Sequence, residues 1–227
     1  MTIIASVIYP NEQPFTELFT HSITTMNSKD LNMDVNALII WGGEDISPSI
    51  YNQAPASRYT RATNHLSQRD IIEIRLAKKA ISLGIPIIGI CRGAQLMCAL
   101  AGGSLIQHVS GHGLYLGHSI VTSDDKQLLT NSVHHQMMNP FKVDQHELLA
   151  WCPKRLSKFY IGNLGNDIGD EITFDENWKE SEIVWFPTVK ALCIQGHPEY
   201  TDATPQFVNY TKELVEKYIL ETNKVSL

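Results

Sequence analysis

Three short apolar runs rich in β-branched residues, Ile3 to Tyr9, Val35 to Trp41 and Ile85 to Ile90, read as strands. Between them the apolar positions recur at helical spacing. Phe15, Leu18, Phe19 and Ile23 after Pro14 predict a first helix. Ile71, Ile74, Leu76, Ala77 and Ile81 predict the buried side of a second, with Ser67 as its cap, Asp70 three residues on and Gly84 as its stop. Strands alternating with helices predict a parallel sheet covered on its faces. From about Ser119 the pattern changes to short apolar runs broken by turn residues, including Ser123-Asp124-Asp125 and Gly162 to Gly169, which predict antiparallel strands or hairpins. A last strand, Val189 to Gln195, leads into Gly196-His197-Pro198-Glu199. After Thr204-Pro205 a final amphipathic helix carries Phe207, Leu214, Val215, Tyr218 and Ile219.

A length of 227 residues suits one large α/β domain spanning 1–227, and 43% hydrophobic with 19% charged residues suits a compact one. The net charge of -6, with eighteen scattered Lys and Arg, argues against a nucleic-acid partner. The opening run lacks a basic leader and is broken by Pro10, and no later run has the length to span a bilayer, so a soluble, cytoplasmic protein without a membrane partner is expected. Four cysteines without paired short spacing make no disulfide framework. Reduced thiols are therefore expected, and the question becomes which of them does chemistry.

In Ile85-Pro86-Ile87-Ile88-Gly89-Ile90-Cys91-Arg92-Gly93-Ala94-Gln95-Leu96, a buried strand runs straight into a helix with cysteine at the junction. This is the G-x-C-x-G form of a nucleophile elbow. A residue on that sharp turn is strained, and its neighbours two positions away must lack side chains. The thiol then stands above the carboxyl edge of the sheet, where the positive end of the following helix favours the thiolate. Cys98, Cys152 and Cys193 read as core cysteines.

Such a nucleophile needs a base, and His197 is the candidate. Two residues on, Glu199 points to the same side and can hold one ring nitrogen while the other is offered to the thiol. For the oxygen of a tetrahedral intermediate, the Trp41-Gly42-Gly43-Glu44-Asp45 loop exposes backbone N–H groups, and those of Gly43 and Arg92 form the expected pair.

Taken together, these segments resemble the class I glutamine amidotransferase superfamily, and within it the γ-glutamyl hydrolase branch that includes the γ-glutamyl-γ-aminobutyrate hydrolases. The resemblance runs in order through Gly42 to Pro48 with Tyr51, Arg69-Asp70 with Glu73, Gly89 to Gln95, Gly102 to Gln107, Asn131 to Gln136, and Gln195 to Glu199. It implies a flavodoxin-like three-layer α/β sandwich with a mostly parallel central sheet and a few antiparallel strands in the C-terminal half. It further implies a Cys91-His197-Glu199 triad, no cofactor, and a pocket for the glutamyl α-amino and carboxylate groups lined by Gln95, Ser132 and His134. Two features depart from it: Gly196 stands where Trp is frequent before the terminal histidine, and the segment from Trp151 to Ile183 matches no block. Both are expected to border the leaving group.

The expected activity is hydrolysis of a small-molecule γ-glutamyl amide through a cysteine thioester. An alternative with the same triad is a glutaminase subunit passing ammonia to a separate ATP-dependent synthetase or ligase. A third reading, a metal-binding protein using His108, His112, His118, His134 and His135, is disfavoured because Gly111 and Gly113 oppose a helix there and no cysteine lies near in the sequence. No metal is therefore expected.

Overall fold

The computed structural model describes residues 2–7, 13–113, 117–163, 165 and 168–221. Ile8 and Tyr9 of the first run, Pro10 that breaks it, and Leu164, Asn166 and Asp167 of the expected turn lie outside the described residues.

The strands are β1 (Ile3–Val7), β2 (His21–Thr25), β3 (Ala37–Ile40), β4 (Ile87–Ile90), β5 (Ser104–Ile106), β6 (His108–Val109), β7 (His118–Thr122), β8 (Gln127–Thr130), β9 (Met137–Asn139), β10 (Glu147–Trp151), β11 (Tyr160–Gly162), β12 (Asp170–Ile172), β13 (Ser181–Phe186) and β14 (Ala191–Ile194). Among the described residues three α-helices, α1 (Gln68–Leu83), α2 (Arg92–Leu100) and α3 (Pro205–Val215), accompany them, α3 running on into a π-helical turn at Glu216–Leu220. Nine strands form one sheet in the order β2-β1-β3-β4-β14-β13-β10-β7-β8. The first five are mutually parallel and the remaining four are added antiparallel. This is the expected α/β fold with a mixed sheet, parallel at its core. Two small antiparallel sheets, β12-β11-β6 and β5-β9, lie beside it.

Successive residues of a strand face opposite sides, and the central strands bury both. Leu38, Ile40 and Ile87 pack with Leu76, Ala77, Ala80, Leu96 and Met97 of α1 and α2 on one side. Ala37, Ile39, Ile88 and Ile90 pack with Phe207, Leu214 and Val215 of α3 on the other. Among the described residues, no helix is long and apolar enough to cross a membrane.

Two expectations are corrected. The helix predicted after Pro14 is a single 3₁₀ turn at Thr16–Leu18, and Ile23 lies instead on β2. Ile23-Thr24-Thr25 is a β-branched run that gains more from pairing in register with β1 than from a helix. Phe15 and Phe19 are still buried, against the same sheet face as α3. The second helix has the predicted capping box, Ser67 and Asp70 exchanging side chain-to-backbone bonds of 3.0 and 2.9 Å, and ends at Gly84 with φ 69°. Its buried face, however, is rotated. Asp70, Glu73, Leu76, Ala77 and Ala80 are buried while Ile71 is exposed, because the two carboxylates are drawn inward to the Arg92 guanidinium.

β3, β4 and β14 are adjacent and parallel, so they end at one rim. The residues that follow them there are Trp41-Gly42-Gly43, Cys91 and Gln195-Gly196-His197.

Candidate active site

Cys91 has φ 48° and ψ -104° and is the residue from which α2 starts. A positive φ in a non-glycine residue costs about 1–3 kcal/mol and persists only where its surroundings impose it. Here Cys91 donates its N–H to Ile194 O at 2.8 Å, and its own carbonyl accepts from Gln95 N at 3.0 Å. The two glycines are required by contact. A Cβ on Gly89 would lie 2.7 Å from the backbone of Gly93, and one on Gly93 would lie 2.1 Å from Ile40 O.

His197 is buried, and its Nδ1 donates to Glu199 Oε1 at 2.8 Å. Its Nε2 is buried and hydrogen-bonds to no oxygen or nitrogen among the described residues. A Cβ added to Gly42 would sit 2.7 Å from His197 Cε1 and 3.4 Å from Cys91 Cβ. The His197 ring and the Cys91 side chain therefore flank the same glycine. Burial by itself lowers the basicity of the imidazole, but the Cys91 thiol and the Glu199 carboxylate outweigh it and lift the pKa to about 10. The ring stacks on Tyr200 at 4.3 Å between centroids. Its peptide is clamped from both ends by Asn131, whose Oδ1 accepts from His197 N at 2.8 Å and whose Nδ2 donates to His197 O at 2.8 Å.

The glycine loop after β3 is braced from behind. Arg69 donates to Trp41 O at 3.0 Å and to Gly42 O at 2.8 Å. Arg69 is itself held by Glu73, which also meets Arg92, and Arg92 meets Asp70 at 2.6 Å. In a trans peptide the C=O and the following N–H point in opposite directions. With Gly42 O turned towards Arg69, the Gly43 N–H is turned away from it. Gly43 has φ 149°, and a Cβ there would strike the Arg69 guanidinium at 2.1 Å. The Arg92 N–H lies in the first turn of α2, immediately after Cys91.

Gln95 lies one turn after Cys91, and its Nε2 donates to Gln136 O at 3.1 Å and approaches Gln195 Oε1 at 3.4 Å. Ser132 spends its hydroxyl on His112 O. His134 is buried, donating from Nδ1 to Gln136 O at 2.8 Å. Neither Ser132 nor His134 borders a cleft of about 610 Å³ lined by Glu44, Asp45, Tyr59, Arg61, His65 and His135 among others. That cleft begins at the residues directly after Gly43. Gly196 does not face it: a Cβ there would meet Thr130 Oγ1 at 2.2 Å and Phe207 Cζ at 2.9 Å, so a larger residue is excluded by the core.

The five histidines of the metal-binding reading separate into two groups. His108 and His135 approach through their Nδ1 atoms at 3.3 Å, with His135 Nε2 donating to Asp45 at 2.9 Å. His112, His118 and His134 surround the buried Glu182, and Cys152 joins them at 3.6 Å from its Oε1. The expectation that no cysteine stands near these histidines is thus corrected: β10 brings Cys152 in from distant sequence. The thiols of Cys98, Cys152 and Cys193 are all pushed up by burial, and all four cysteines are unpaired.

The sequence offers no role for Asn131, Arg69 or Glu73 beyond their place in ordered blocks, and for Asp70 only the capping of α1. A usable signal was present in two acids at helical spacing, Asp70 and Glu73, next to the apolar positions of α1.

A model of the peptidase C26 family matches residues 18–137. A glutamine amidotransferase-like protein of Rickettsia prowazekii is 41% identical, the match covering 82% of this chain and 78% of that protein. One from Lactococcus lactis is 27% identical over 81% of this chain and 74% of its own length. Among solved structures, a GMP synthase subunit from Thermoplasma acidophilum superposes with a TM-score of 0.63 at 13% identity, covering 100% of this chain and 98% of the other. A glutamine amidotransferase from Thermotoga maritima does so with 0.54 at 14%, covering 99% and 86%. The structural likenesses establish the fold, and the sequence matches establish the kinship: the chain belongs to the peptidase C26 family of glutamine amidotransferase-like, amide-hydrolysing proteins.

Proposed function

We propose that the chain hydrolyses a γ-glutamyl amide through a thioester on Cys91, releasing an amine and then glutamate. The observation that carries this reading is the convergence of Cys91, on its strained elbow, and the Glu199-held His197 ring beside Gly42. The thiolate attacks the γ-carbonyl carbon, and the oxygen takes the electron pair while the N–H groups of Gly43 and Arg92 donate to it. The His197 imidazolium gives its proton to the departing nitrogen as the C–N bond breaks. Water then adds to the thioester, His197 takes its proton, and glutamate leaves with regeneration of the thiol. A cytoplasmic setting suits a chain whose four thiols are all unpaired.

Gln95, one turn from the nucleophile, is the residue proposed to meet the glutamyl head group, with Ser132 and His134 forming the wall behind it. The amine half of the substrate is assigned to the cleft that opens at Glu44 and Asp45. Incubation with an electrophilic glutamine analogue should add one label, mapped by mass spectrometry to Cys91. Labelling elsewhere, or undiminished hydrolysis by Cys91→Ala, overturns the scheme.

A second reading rests on the full-length superposition with the GMP synthase subunit and on a PurLQS structure from Thermotoga maritima: the same site would supply ammonia to a separate ATP-dependent synthetase. The isolated chain separates the two. A stand-alone hydrolase turns over γ-glutamyl amines unaided, whereas an ammonia-supplying subunit hydrolyses glutamine feebly until its partner is added.

A further inference from the structure

Behind the candidate active site lies a second constellation that the proposed hydrolysis does not use. Four side chains from separate parts of the chain, His112, His118 on β7, Cys152 just after β10 and Glu182 on β13, bring one nitrogen, sulfur or oxygen atom each to within 4.8 Å of all the others. All four are buried. Their focus is Glu182 Oε1, with His118 Nε2 at 2.9 Å, His112 Nδ1 at 3.4 Å and Cys152 Sγ at 3.6 Å. His134 Nε2 stands at 3.9 Å on the same oxygen.

Hydrogen bonding alone leaves this group poorly satisfied. His134 donates from Nδ1 to Gln136 O, so its Nε2 presents a lone pair towards a carboxylate oxygen, and two acceptors face each other with no donor between them. Glu182 Oε2, His118 Nδ1 and both nitrogens of His112 are buried without a well-formed hydrogen bond among the described residues. Buried polar atoms left in this state are costly. One cation at the centre would give His112 Nδ1 a partner and would take up the lone pairs crowded at Glu182 Oε1.

The surroundings are those of a metal centre as well. His112 directs its other nitrogen, Nε2, to Glu180 Oε2 at 3.2 Å, which is the carboxylate–histidine–metal relay that orients a ligating ring. Glu180 is in turn fixed by the N–H groups of Leu156 and Ser157 at 2.8 and 2.9 Å and by the Tyr160 hydroxyl at 2.9 Å. Two imidazoles, a thiol and a carboxylate form a mixed N, S and O donor set that suits tetrahedral Zn²⁺. Zinc ligands lie about 2.0–2.3 Å from the ion, so closing the present spacing needs a contraction on the order of 1 Å.

We infer that His112, His118, Cys152 and Glu182 form a closed structural site for a divalent transition-metal ion of the zinc type. On binding, Cys152 gives up its proton to solvent and coordinates as the thiolate. Such an ion would tie β7, β10 and β13 together beneath the rim. The backbone already carries that constraint towards the base, since Glu182 O accepts from Gln195 N at 2.8 Å, two residues before His197, and Ser132 bonds to His112 O next to the Asn131 clamp.

The full chain, stripped with chelator, is titrated with Co²⁺ and then Zn²⁺. One equivalent of Co²⁺ should bind with a thiolate-to-cobalt charge-transfer band, and Zn²⁺ should displace it. The band should survive in Cys91→Ala and vanish in Cys152→Ser. Glu180→Gln, which spares all four ligands, should weaken Zn²⁺ binding about ten- to a hundredfold. X-ray absorption on zinc-loaded Cys91→Ala should find one sulfur at about 2.3 Å with nitrogen and oxygen at about 2.0 Å. Failure to take up either ion, a band that follows Cys91, or a shell without sulfur overturns the proposal. None of these readouts depends on hydrolysis.

Discussion

Arg69 holds the carbonyl oxygen of Gly42 at 2.8 Å, and by doing so turns the next N–H, that of Gly43, away from the guanidinium. The guanidinium reaches no substrate atom in the proposed scheme, so Arg69 is a positioning residue. Arg69→Ala should lower kcat by about ten- to a hundredfold, somewhat less than the loss of an oxyanion donor itself, while KM changes little. Arg69→Lys, which offers a single donor point and no fork, should recover only part of the rate. Steady-state kinetics on the three proteins test this, and an equal rise in KM would contradict it.

At the elbow, strain and chemistry are separable. Cys91→Gly and Cys91→Ala should both abolish turnover, yet the glycine variant adopts φ 48° without penalty. It should be the more stable of the two by about 1–2 kcal/mol in chemical denaturation. Equal stabilities would mean that the backbone there is not strained.

The contact at Gly93 leaves no such freedom. A methyl group 2.1 Å from Ile40 O must displace either β3 or α2, so Gly93→Ala should cost about 1–3 kcal/mol or more and Gly93→Val should compromise folding and activity together. Thermal unfolding measured alongside activity checks both.

The charge on His197 sets a pH dependence. Its pKa is raised in the folded chain, from 6.5 to about 10. The stabilisation tied to the protonated ring is therefore complete below the unfolded value near 6.5 and disappears as pH rises through about 10. Activity should decline over the same alkaline range as the proton destined for the leaving nitrogen is lost. Glu199→Gln should shift that decline to lower pH, and its stability deficit against the wild type should shrink between neutral pH and about pH 10. A rate profile whose alkaline limb is unmoved by Glu199→Gln would exclude the carboxylate from this role.

Asn131 makes one further test. Asn131→Ala removes both bonds to the His197 peptide and should reduce kcat about tenfold or more, because small misplacements of a base are expensive. Labelling of Cys91 by a small electrophile should be affected far less, since the Cys91 backbone keeps its own bonds to Ile194 and Gln95. Parallel losses in both assays would point instead to general unfolding.

Much of this was legible in the chain itself. Paired glycines around Cys91 and the His-Pro-Glu ending of a terminal strand are local signals, because the constraint they answer lies within a few residues. The parallel core was readable for the same reason. What stayed hidden depends on partners far away in sequence. The first helix failed because its apolar spacing was equally compatible with a turn followed by a paired strand, and β1 decided the matter. The burial of Glu73 follows from Arg92, nineteen positions on. Gly196 could not be read from its neighbours, since Thr130 and Phe207 are what exclude a larger residue. Cys152 looked inert for want of a visible companion, and its companions are His112, His118 and Glu182.

β4 and β14 lie side by side although about a hundred residues separate them, and each leads to one half of the proposed reacting pair. Pairings of such long sequence separation form late, after the entropy of closing a large loop has been overcome. A ribosome-bound chain that has emerged only as far as α2 therefore carries a sulfur with no imidazole to partner it. In the proposed scheme the thiol stays idle until β14 has docked beside β4 and carried the imidazole to the same rim.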